Sequence, residues 1–403
     1  MTHPRASADP RTPSTPLESD PPAAPDSPKR VDVVIVGAGP AGACAAAHLA
    51  EAGRSVLIVE KAQLPRRKVC AGGLVRRAYQ HLPQGLDFPV QAVCDRLESR
   101  VQGSGIHLVE READLIKMVD RHHFDHALVQ HAVCLGAELW QGTSAHAVEH
   151  DAQGATLDTS AGRVQADYVV LAEGANSQIA NQIWGHQPRN IPALEIDVYA
   201  SPDVLAAYQG RAIFDLAAIA EGYGWIFYKG DHLSVGVTSY RQGKVDMRGA
   251  LQAYLSLNGL DQPDQQRNRR GFVIPVRPRQ DLVRQRVILV GDTAGLADPI
   301  SAEGLSYAII SGRAAAQAIA QHADHPQRVA ARYLELIRAP ILDELASARR
   351  LALLLYRLPW LRNLLLRRLG PHCQKAMRLV ISGQRRFADL ASFRRIARYL
   401  VSG

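Results

Sequence analysis

The sequence predicts an α/β fold: a parallel sheet flanked by helices, interrupted by an antiparallel β-rich insertion and followed by a C-terminal helical region. Apolar runs at 31–36 and 286–290 each lead into a glycine turn and a helix, and short strand-like runs fill 192–271. The expected parts are a disordered leader (1–30), a discontinuous nucleotide-binding domain (31–185 and 272–330), a β-rich substrate domain (186–271) and a basic helical region (331–403).

The first apolar run ends in a turn with the spacing of a dinucleotide-binding site. Gly37, Gly39 and Gly42 follow the G-x-G-x-x-G pattern, which makes a tight turn, admits a pyrophosphate and allows close helix–strand packing. A helix beginning near Pro40 would point its positive end at the phosphates. The next strand ends in Glu60, where a carboxylate accepts hydrogen bonds from ribose and disfavours a 2′-phosphate. We therefore expect a Rossmann-like site for FAD or NAD.

The second apolar run carries the other decisive turn. It leads into Gly291 and Asp292, then a glycine-rich loop and a helix expected to begin at Leu305. The Asp292 carboxylate can accept a hydrogen bond from a ribityl hydroxyl. The N–H groups near Glu303 and Gly304 can face the electron-rich N1–C2=O side of a reduced flavin. This stretch favours a flavin as the bound nucleotide.

A loop after the second strand combines four basic residues, Cys70 and two glycines within residues 61–74. Beside a nucleotide, its glycines would let the backbone approach a flavin ring, with basic side chains near the phosphates and Cys70 facing the ring or the substrate. A solvated basic turn is the alternative, in which Cys70 is a small buried hydrophobe.

Charge and cysteine content limit the classes of function. Residues 338–398 hold 14 basic and 3 acidic side chains, whereas the whole chain has a net charge of +8. This asymmetry predicts an anionic surface partner for one region and argues against a nucleic-acid-binding protein. The five scattered cysteines indicate neither disulfides nor zinc, which fits a cytoplasmic protein. Four histidines on a helix predicted at 120–132 are expected to be solvated, with no metal site.

The basic region mixes leucines with arginines over 349–368. Arg357 and Arg362 interrupt the apolar run well short of the ~20 residues that a bilayer requires. Two helices joined at Pro359 are expected. Their leucines either cap the flavin domain or, with Trp360, form an interfacial surface that meets anionic lipid at the inner face of a membrane.

These motifs together resemble the FAD-dependent geranylgeranyl reductase family, within the wider p-hydroxybenzoate-hydroxylase-like flavoproteins of the GR2 type. Residues 65–73 resemble the P-R-x-K-x-C-G-G-G loop of that family, with Ala71 replacing a glycine. Residues 223–227 resemble its Y-x-W-x-F signature, although Tyr228 stands where proline is usual. Residues 291–312 resemble its G-D-A-A-G-x-x-x-P-x-x-G-E-G helix start.

The resemblance implies an oxidoreductase that reduces carbon–carbon double bonds of a polyprenyl or other lipid-like substrate by hydride transfer from reduced FAD. NAD(P)H or another reductant would supply the electrons. Cys70 and Tyr223 are implied as catalytic candidates, and Trp225 and Phe227 as substrate-pocket residues. The residues expected to bind FAD are Gly37, Ala38, Gly39, Pro40, Ala41, Gly42, Glu60, Lys61, Arg67, Ala71, Gly72, Arg121, Glu173, Gly174, Gly291, Asp292, Glu303, Gly304 and Leu305.

Two other interpretations remain open. A flavin monooxygenase or halogenase would act on an aromatic or polyketide substrate, although Ala302-Glu303-Gly304 replaces the G-Q-G of hydroxylases. A non-catalytic flavin- or lipid-binding relative is suggested by Glu173, Ala71 and Tyr228, which all depart from the family pattern. The oligomeric state is left open.

Overall fold

The computed structural model describes residues 28–101, 104–187 and 189–390, whose strands form two eight-stranded sheets. In chain order the strands are β1 (Lys29–Val36), β2 (Val56–Glu60), β3 (Gly73–Val75), β4 (Ala92–Val101), β5 (Ile106–Met118), β6 (Glu138–Gln141), β7 (Ala145–His150), β8 (Ala155–Thr159), β9 (Gly162–Leu171), β10 (Asn190–Val198), β11 (Arg211–Asp215), β12 (Gly222–Tyr228), β13 (Leu233–Ser239), β14 (Gln266–Pro275), β15 (Val283–Arg284) and β16 (Val287–Leu289). The α-helices are α1 (Pro40–Glu51), α2 (Arg76–Tyr79), α3 (Arg121–Cys134), α4 (Gln178–Trp184), α5 (Pro202–Tyr208), α6 (Met247–Leu257), α7 (Leu305–His322), α8 (Pro326–Ile337), α9 (Asp343–Arg357), α10 (Pro359–Ile381) and α11 (Phe387–Leu390).

The first sheet has the predicted nucleotide-binding arrangement. Its order is β15–β16–β9–β1–β2–β6, and β1 runs parallel to both β2 and β9. β16 continues the parallel set beside β9, while β7 and β8 form an antiparallel meander with β9. The chain winds outward from β1 on one side and returns on the other. The carboxyl ends of β1, β9 and β16 therefore border the crevice at which such sheets bind ligands.

Helices α1 and α7 pack closely beside this crevice. Both begin where the sequence predicted, at Pro40 and at Leu305. A Cβ on Gly42 would lie 2.0 Å from the Gly37 carbonyl oxygen, and one on Gly312 would lie 2.1 Å from the Ala41 carbonyl oxygen. The backbones at these two contacts, Gly42 with Gly37 and Gly312 with Ala41, are thus closer than a side chain at either glycine would allow. This confirms close helix–strand packing as the reason for the third glycine of the motif.

The second sheet extends beyond the expected β-rich insertion. Its order is β14–β10–β13–β12–β11–β4–β5–β3. β10 to β14 come from the stretch predicted to be β-rich, but β3, β4 and β5 come from residues 73–118, which the sequence pattern placed with the nucleotide-binding part. β4 pairs in parallel with β11, far along the chain. This pairing depends on tertiary structure, so no local pattern indicates it.

The two faces of the second sheet have different partners. One face packs against α6 through buried apolar residues such as Val235, Leu251 and Tyr254. The aromatic residues Tyr223 and Trp225 lie on the opposite face of β12 and belong to the core shared with the first sheet. That face is consequently turned toward the nucleotide-binding crevice.

The C-terminal helices cover the second sheet, and α9 and α10 meet at Leu358 as the sequence predicted. Gly370 packs against Leu108 of β5, and the Gln374 amide donates a hydrogen bond to the Leu97 carbonyl oxygen over 3.0 Å. Arg362 is buried and donates to the Leu216 carbonyl oxygen over 2.8 Å. Arg362 therefore anchors α10 to the protein, which corrects the expectation that it meets lipid.

Some expectations need correction or lie outside the described residues. His126 is 2% exposed, so one of the helix histidines predicted to be solvated is instead buried, because α3 packs against α1. Most of the predicted leader (1–27) and the last part of the basic region (391–403) lie outside the described residues, and residues 29 and 30 already belong to β1. Within the described part of the chain, no helix is long and apolar enough to cross a bilayer.

The contact between α1 and α7 yields a stability prediction. Replacing glycine with alanine inside a helix ordinarily stabilises it by about 1 kcal/mol. We expect Gly312→Ala to lower the free energy of unfolding instead, by roughly 1–3 kcal/mol, because the new methyl group overpacks against Ala41. Urea denaturation measures this, with Gln317→Ala on the same helix as a control expected to stay near wild type. An unchanged or raised stability of Gly312→Ala would contradict the packing described here.

Candidate functional site

The turn after β1 contains two glycines that differ in what surrounds them. Gly37 adopts φ +106°, and a Cβ there would lie 2.4 Å from the Ala172 carbonyl oxygen, so the fold itself requires this glycine. Gly39 is different, because its φ of −81° suits any residue and the nearest atom to an added Cβ is the Arg66 guanidinium, 3.8 Å away. Gly39 precedes α1 without a side-chain cap, which leaves N–H groups of the first turn available to an anion.

Glu60 orders this glycine turn from the end of β2. Its buried carboxylate accepts hydrogen bonds from the N–H groups of Ala38 and Ala62, over 2.9 and 3.1 Å. The Arg66 Nε lies 3.4 Å from the same carboxylate. Glu60 thus lies at the end of β2, where ribose recognition was expected, and it also holds the backbone of the glycine turn.

A charged network that the sequence analysis largely missed adjoins the turn. The Asp125 carboxylate accepts two hydrogen bonds from Arg121, over 2.6 and 2.8 Å, and a third from Arg66 over 3.1 Å. Arg121 was expected at the site, but Arg66 and Asp125 were not. Their one available signal was the Arg121–Asp125 spacing of four residues, which places the two side chains together on a helix.

Only some of the basic side chains in the loop over 61–74 lie near the crevice. Lys68 is accessible to solvent, yet surrounding protein atoms partly desolvate it and lower its pKa, while Asp292 opposes that shift. Lys68 is therefore exposed but surrounded by protein atoms, as expected for a side chain at the edge of a cleft. Lys61 and Arg67, which were expected to contact the cofactor, are exposed at the surface.

The turn after β9 is held by Glu173 from within the protein. Its carboxylate accepts hydrogen bonds from the first N–H groups of α4, at Gln178, Ile179 and Ala180, over 2.8 to 3.0 Å. A glutamate is therefore accommodated here as a helix cap. Gly174 donates its N–H to the Thr293 hydroxyl over 2.9 Å, which ties this turn to the one after β16.

The turn after β16 lies against the first turn. A Cβ on Gly291 would lie 3.0 Å from the Ala41 Cβ and 3.4 Å from the Ala308 Cβ, so the starts of α1 and α7 are neighbours. Asp292 follows, and burial raises the pKa of its carboxyl group against the opposing charges of Lys68 and Arg121. The glycine motif and Asp292 therefore border one crevice.

Glu303 and Gly304 form the start of α7. A Cβ on Gly304 would lie 3.1 Å from the Asp292 carboxylate. The Glu303 carboxylate accepts the Ser306 N–H over 2.6 Å and pairs with Arg77 over 3.2 Å. Glu303 thus caps α7 with its side chain. Gly304 has no side chain, so its backbone lies close to the Asp292 carboxylate.

Three tyrosines hold the loop over 298–303 that precedes α7. Tyr223 donates its hydroxyl to the Ser301 carbonyl oxygen, while Tyr240 and Tyr356 donate to the Ile300 carbonyl oxygen over 3.2 and 2.5 Å. Burial raises the pKa of Tyr223, with a further contribution from Asp298. The Tyr223 hydroxyl therefore makes its hydrogen bond with this loop.

An aromatic wall, formed by Phe214, Tyr223, Trp225 and Phe227, extends from this loop toward Cys70. The Phe214 ring lies 5.7 Å from Tyr223 and 5.2 Å from Phe227, measured between ring centroids. A Cβ on Gly73 would lie 3.8 Å from the Phe227 ring, so the far end of the wall meets the Cys70 loop. The two residues expected in a substrate pocket, Trp225 and Phe227, thus lie between the two catalytic candidates.

The Cys70 loop is fastened by Lys229, which the sequence analysis missed. The Lys229 ammonium donates hydrogen bonds to the carbonyl oxygens of Val119 and Ala71, over 2.8 and 3.3 Å. Gly72 adopts φ +76° between these groups, where a Cβ would lie 2.1 Å from the Val119 oxygen. The Gly72 N–H lies 3.4 Å from Cys70 Sγ, which also interacts with Arg121.

The crevice fits FAD by its helix starts and its charge. The uncapped start of α1 after Gly39, the neighbouring start of α7 and the cations Arg66, Lys68 and Arg121 suit a diphosphate, and Asp292 suits a hydroxyl donor. Among the residues that the structure describes, no group of three or more His, Cys, Asp or Glu side chains could hold a metal ion.

Gly39 allows the cofactor site to be tested without disturbing the fold. Because its φ is ordinary and protein atoms leave room, we expect Gly39→Val to fold with near wild-type stability and to lose most bound flavin. Absorbance of the purified protein and its thermal unfolding midpoint measure the two effects. Gly37→Val, in contrast, is expected to fail at folding. A stable Gly39→Val protein with full flavin content would contradict this site.

Comparison with known proteins supports FAD as the cofactor. A family described as FAD binding domain matches residues 30–331. An uncharacterized protein of Methanosarcina barkeri is 30% identical over 296 residues, which cover 72% of this chain and 75% of the relative. A geranylgeranyl diphosphate reductase of Rhodobacter capsulatus is 29% identical, covering 72% and 75% of the two chains, and a menaquinone reductase of Mycolicibacterium smegmatis is 28% identical, covering 72% and 76%.

Solved structures show the same fold. A geranylgeranyl bacteriochlorophyll reductase-like protein from Thermoplasma acidophilum aligns with a TM-score of 0.75 and 22% identity, covering 84% of this chain and 91% of the other. A myxobacterial chondrochloren halogenase aligns with a TM-score of 0.62 and 20% identity, covering 76% and 78%. At these identities the likeness concerns the fold alone. On the family match, the chain belongs to the FAD binding domain family, its sequence is similar to the reductases named above, and it is an FAD-dependent oxidoreductase.

Proposed function

We propose that this protein reduces isolated carbon–carbon double bonds of a polyprenyl or similar lipid-like substrate. The observation that carries the proposal is the aromatic wall, which joins the loop before α7 to the Cys70 loop and offers apolar side chains along its length. Two relatives are named as reductases of geranylgeranyl diphosphate and of menaquinone, and both compounds contain polyprenyl chains. A long apolar chain lying on this wall would gain favourable burial.

Reduced FAD supplies a hydride when bound, and the protein must position the alkene and exclude water. An unactivated alkene is a poor hydride acceptor, so orientation and a nearby acid contribute much of the rate. The wall orients the chain, Tyr223 fixes the loop before α7, and Cys70 lies where the wall meets the opposite loop. NAD(P)H, binding transiently, or another reductant completes the cycle in this proposal.

The reaction is tested by anaerobic incubation of dithionite-reduced protein with prenyl alcohols, prenyl diphosphates and prenylated quinones. We expect mass spectrometry to show two added hydrogens for each reduced double bond, since hydride and proton are both retained in the product. The Gly39→Val protein is the matched control and should add none. Absence of any mass gain across the panel, with oxygen consumed in the presence of halide or an aromatic substrate instead, would favour a monooxygenase or halogenase.

We also propose that the C-terminal helices dock the enzyme on an anionic bilayer at the inner face of a membrane. Leu353, Leu358, Trp360 and Leu364 are 41 to 69% exposed around the junction of α9 and α10. Exposed arginines accompany them at positions 349, 350, 357, 367 and 368. Apolar side chains that enter the headgroup region beside arginines that meet anionic lipid form an interfacial surface. Each arginine near such a membrane contributes about 1 kcal/mol.

Liposome flotation tests this docking. We expect the protein to float with vesicles that contain anionic lipid and to be released by salt, because screening weakens the arginine contribution. Trp360→Ser together with Leu364→Ser should abolish flotation, while Leu257→Ser, which alters an exposed leucine on α6, should not. Equal failure of the wild-type protein to float with neutral and anionic vesicles at low salt would leave these leucines as ordinary surface residues.

A further inference from the structure

A buried carboxylate that the proposed mechanism does not use lies beside the Cys70 loop. Glu195 on β10 is 3% exposed, and its Oε2 has no hydrogen-bond partner among the described residues. The backbone N–H of Cys70 interacts with this carboxylate as a hydrogen-bond donor. A buried carboxylate oxygen without a partner is costly and calls for an explanation.

Glu195 also adjoins the aromatic wall. In the second sheet it pairs directly with Gly236 of β13, and Gly236 pairs with Trp225 of β12, so the three residues form one row across the sheet. A Cβ on Gly236 would lie 2.1 Å from the Trp225 ring, so the indole lies over this glycine, on the Glu195 side of β12. Glu195 is therefore placed between the wall and Cys70.

Burial and the charges around Glu195 set the pKa of its carboxyl group. Burial, with a smaller contribution from Asp197, raises the pKa of Glu195 to about 7, against the charges of Lys229 and Arg270 and the Cys70 N–H. Burial also lowers the pKa of Lys229, which the carboxylates of Asp120, Glu195 and Asp197 oppose. Glu195 accordingly holds a proton for part of the time at neutral pH, as a general acid must.

We propose that Glu195 is the catalytic acid that delivers the proton to the substrate. This inference rests on the proposed double-bond reduction. One alkene carbon accepts the hydride that reduced FAD supplies, and the electron pair of the double bond forms a new C–H bond with the carboxyl proton at the other carbon. The Glu195 O–H bond breaks, its carboxylate regains a proton from solvent, the alkene is reduced and the flavin is oxidised.

The test combines single-turnover kinetics with a titration that needs no activity. Reduced wild-type protein is expected to convert a polyprenyl substrate with a rate that falls as pH rises through about 7, because only protonated Glu195 can donate. Glu195→Gln should lose roughly 100-fold or more of this rate and its pH dependence. Glu195→Asp should retain part of it. Glu149→Gln, at an exposed surface glutamate, should match wild type.

Infrared difference spectra of the flavin-free proteins supply the independent readout. A protonated-carboxyl band that Glu195→Gln lacks should disappear with a midpoint near pH 7. Asp197→Asn should move that midpoint to lower pH, because it removes a neighbouring negative charge. A wild-type rate in Glu195→Gln, or a band that is already absent at pH 5, would overturn the inference and leave the proposed function standing. No turnover by wild type with any substrate would overturn both.

Discussion

The site depends on the close approach of two strand-to-helix turns at the carboxyl edge of the parallel sheet. Gly291 lies against Ala41 and Ala308, while Gly42 and Gly312 bring backbone against backbone where no side chain fits. Because of these contacts, α1 and α7 begin side by side. Two helix N-termini then contribute positive electrostatic potential to one crevice, which suits a ligand that carries phosphates and an electron-rich ring.

The side chains that border the crevice are paired with one another. Arg66 and Arg121 share the Asp125 carboxylate, and Arg66 also reaches Glu60, which holds the glycine turn. Buried charges are costly when isolated, but here each has a partner, so the side chains keep fixed positions. Lys68 stays accessible near Asp292, and it is thus the cation best able to respond to a ligand.

The second sheet and the C-terminal helices support the same loop from two directions. Tyr223 and Tyr240 reach the loop over 298–303 from the sheet, and Tyr356 reaches it from α9. Arg77 joins the two regions again, because it pairs with Glu303 before α7 and with Glu344 of α9. The C-terminal helices are consequently part of the structure that positions the loop over 298–303.

The sequence by itself determined the strand–turn–helix units at Gly37 and Gly291, because glycine spacing, apolar runs and helix starts act through neighbouring residues. It also indicated the break between α9 and α10. Only the tertiary structure decided that β3, β4 and β5 join the second sheet, that Arg362 and His126 are buried, and that Glu195 meets the Cys70 loop. These outcomes depend on pairings between distant segments. The sequence does not distinguish a charged strand residue that faces solvent from one that faces a buried site. The strands that pair with it and pack over it determine which environment it has.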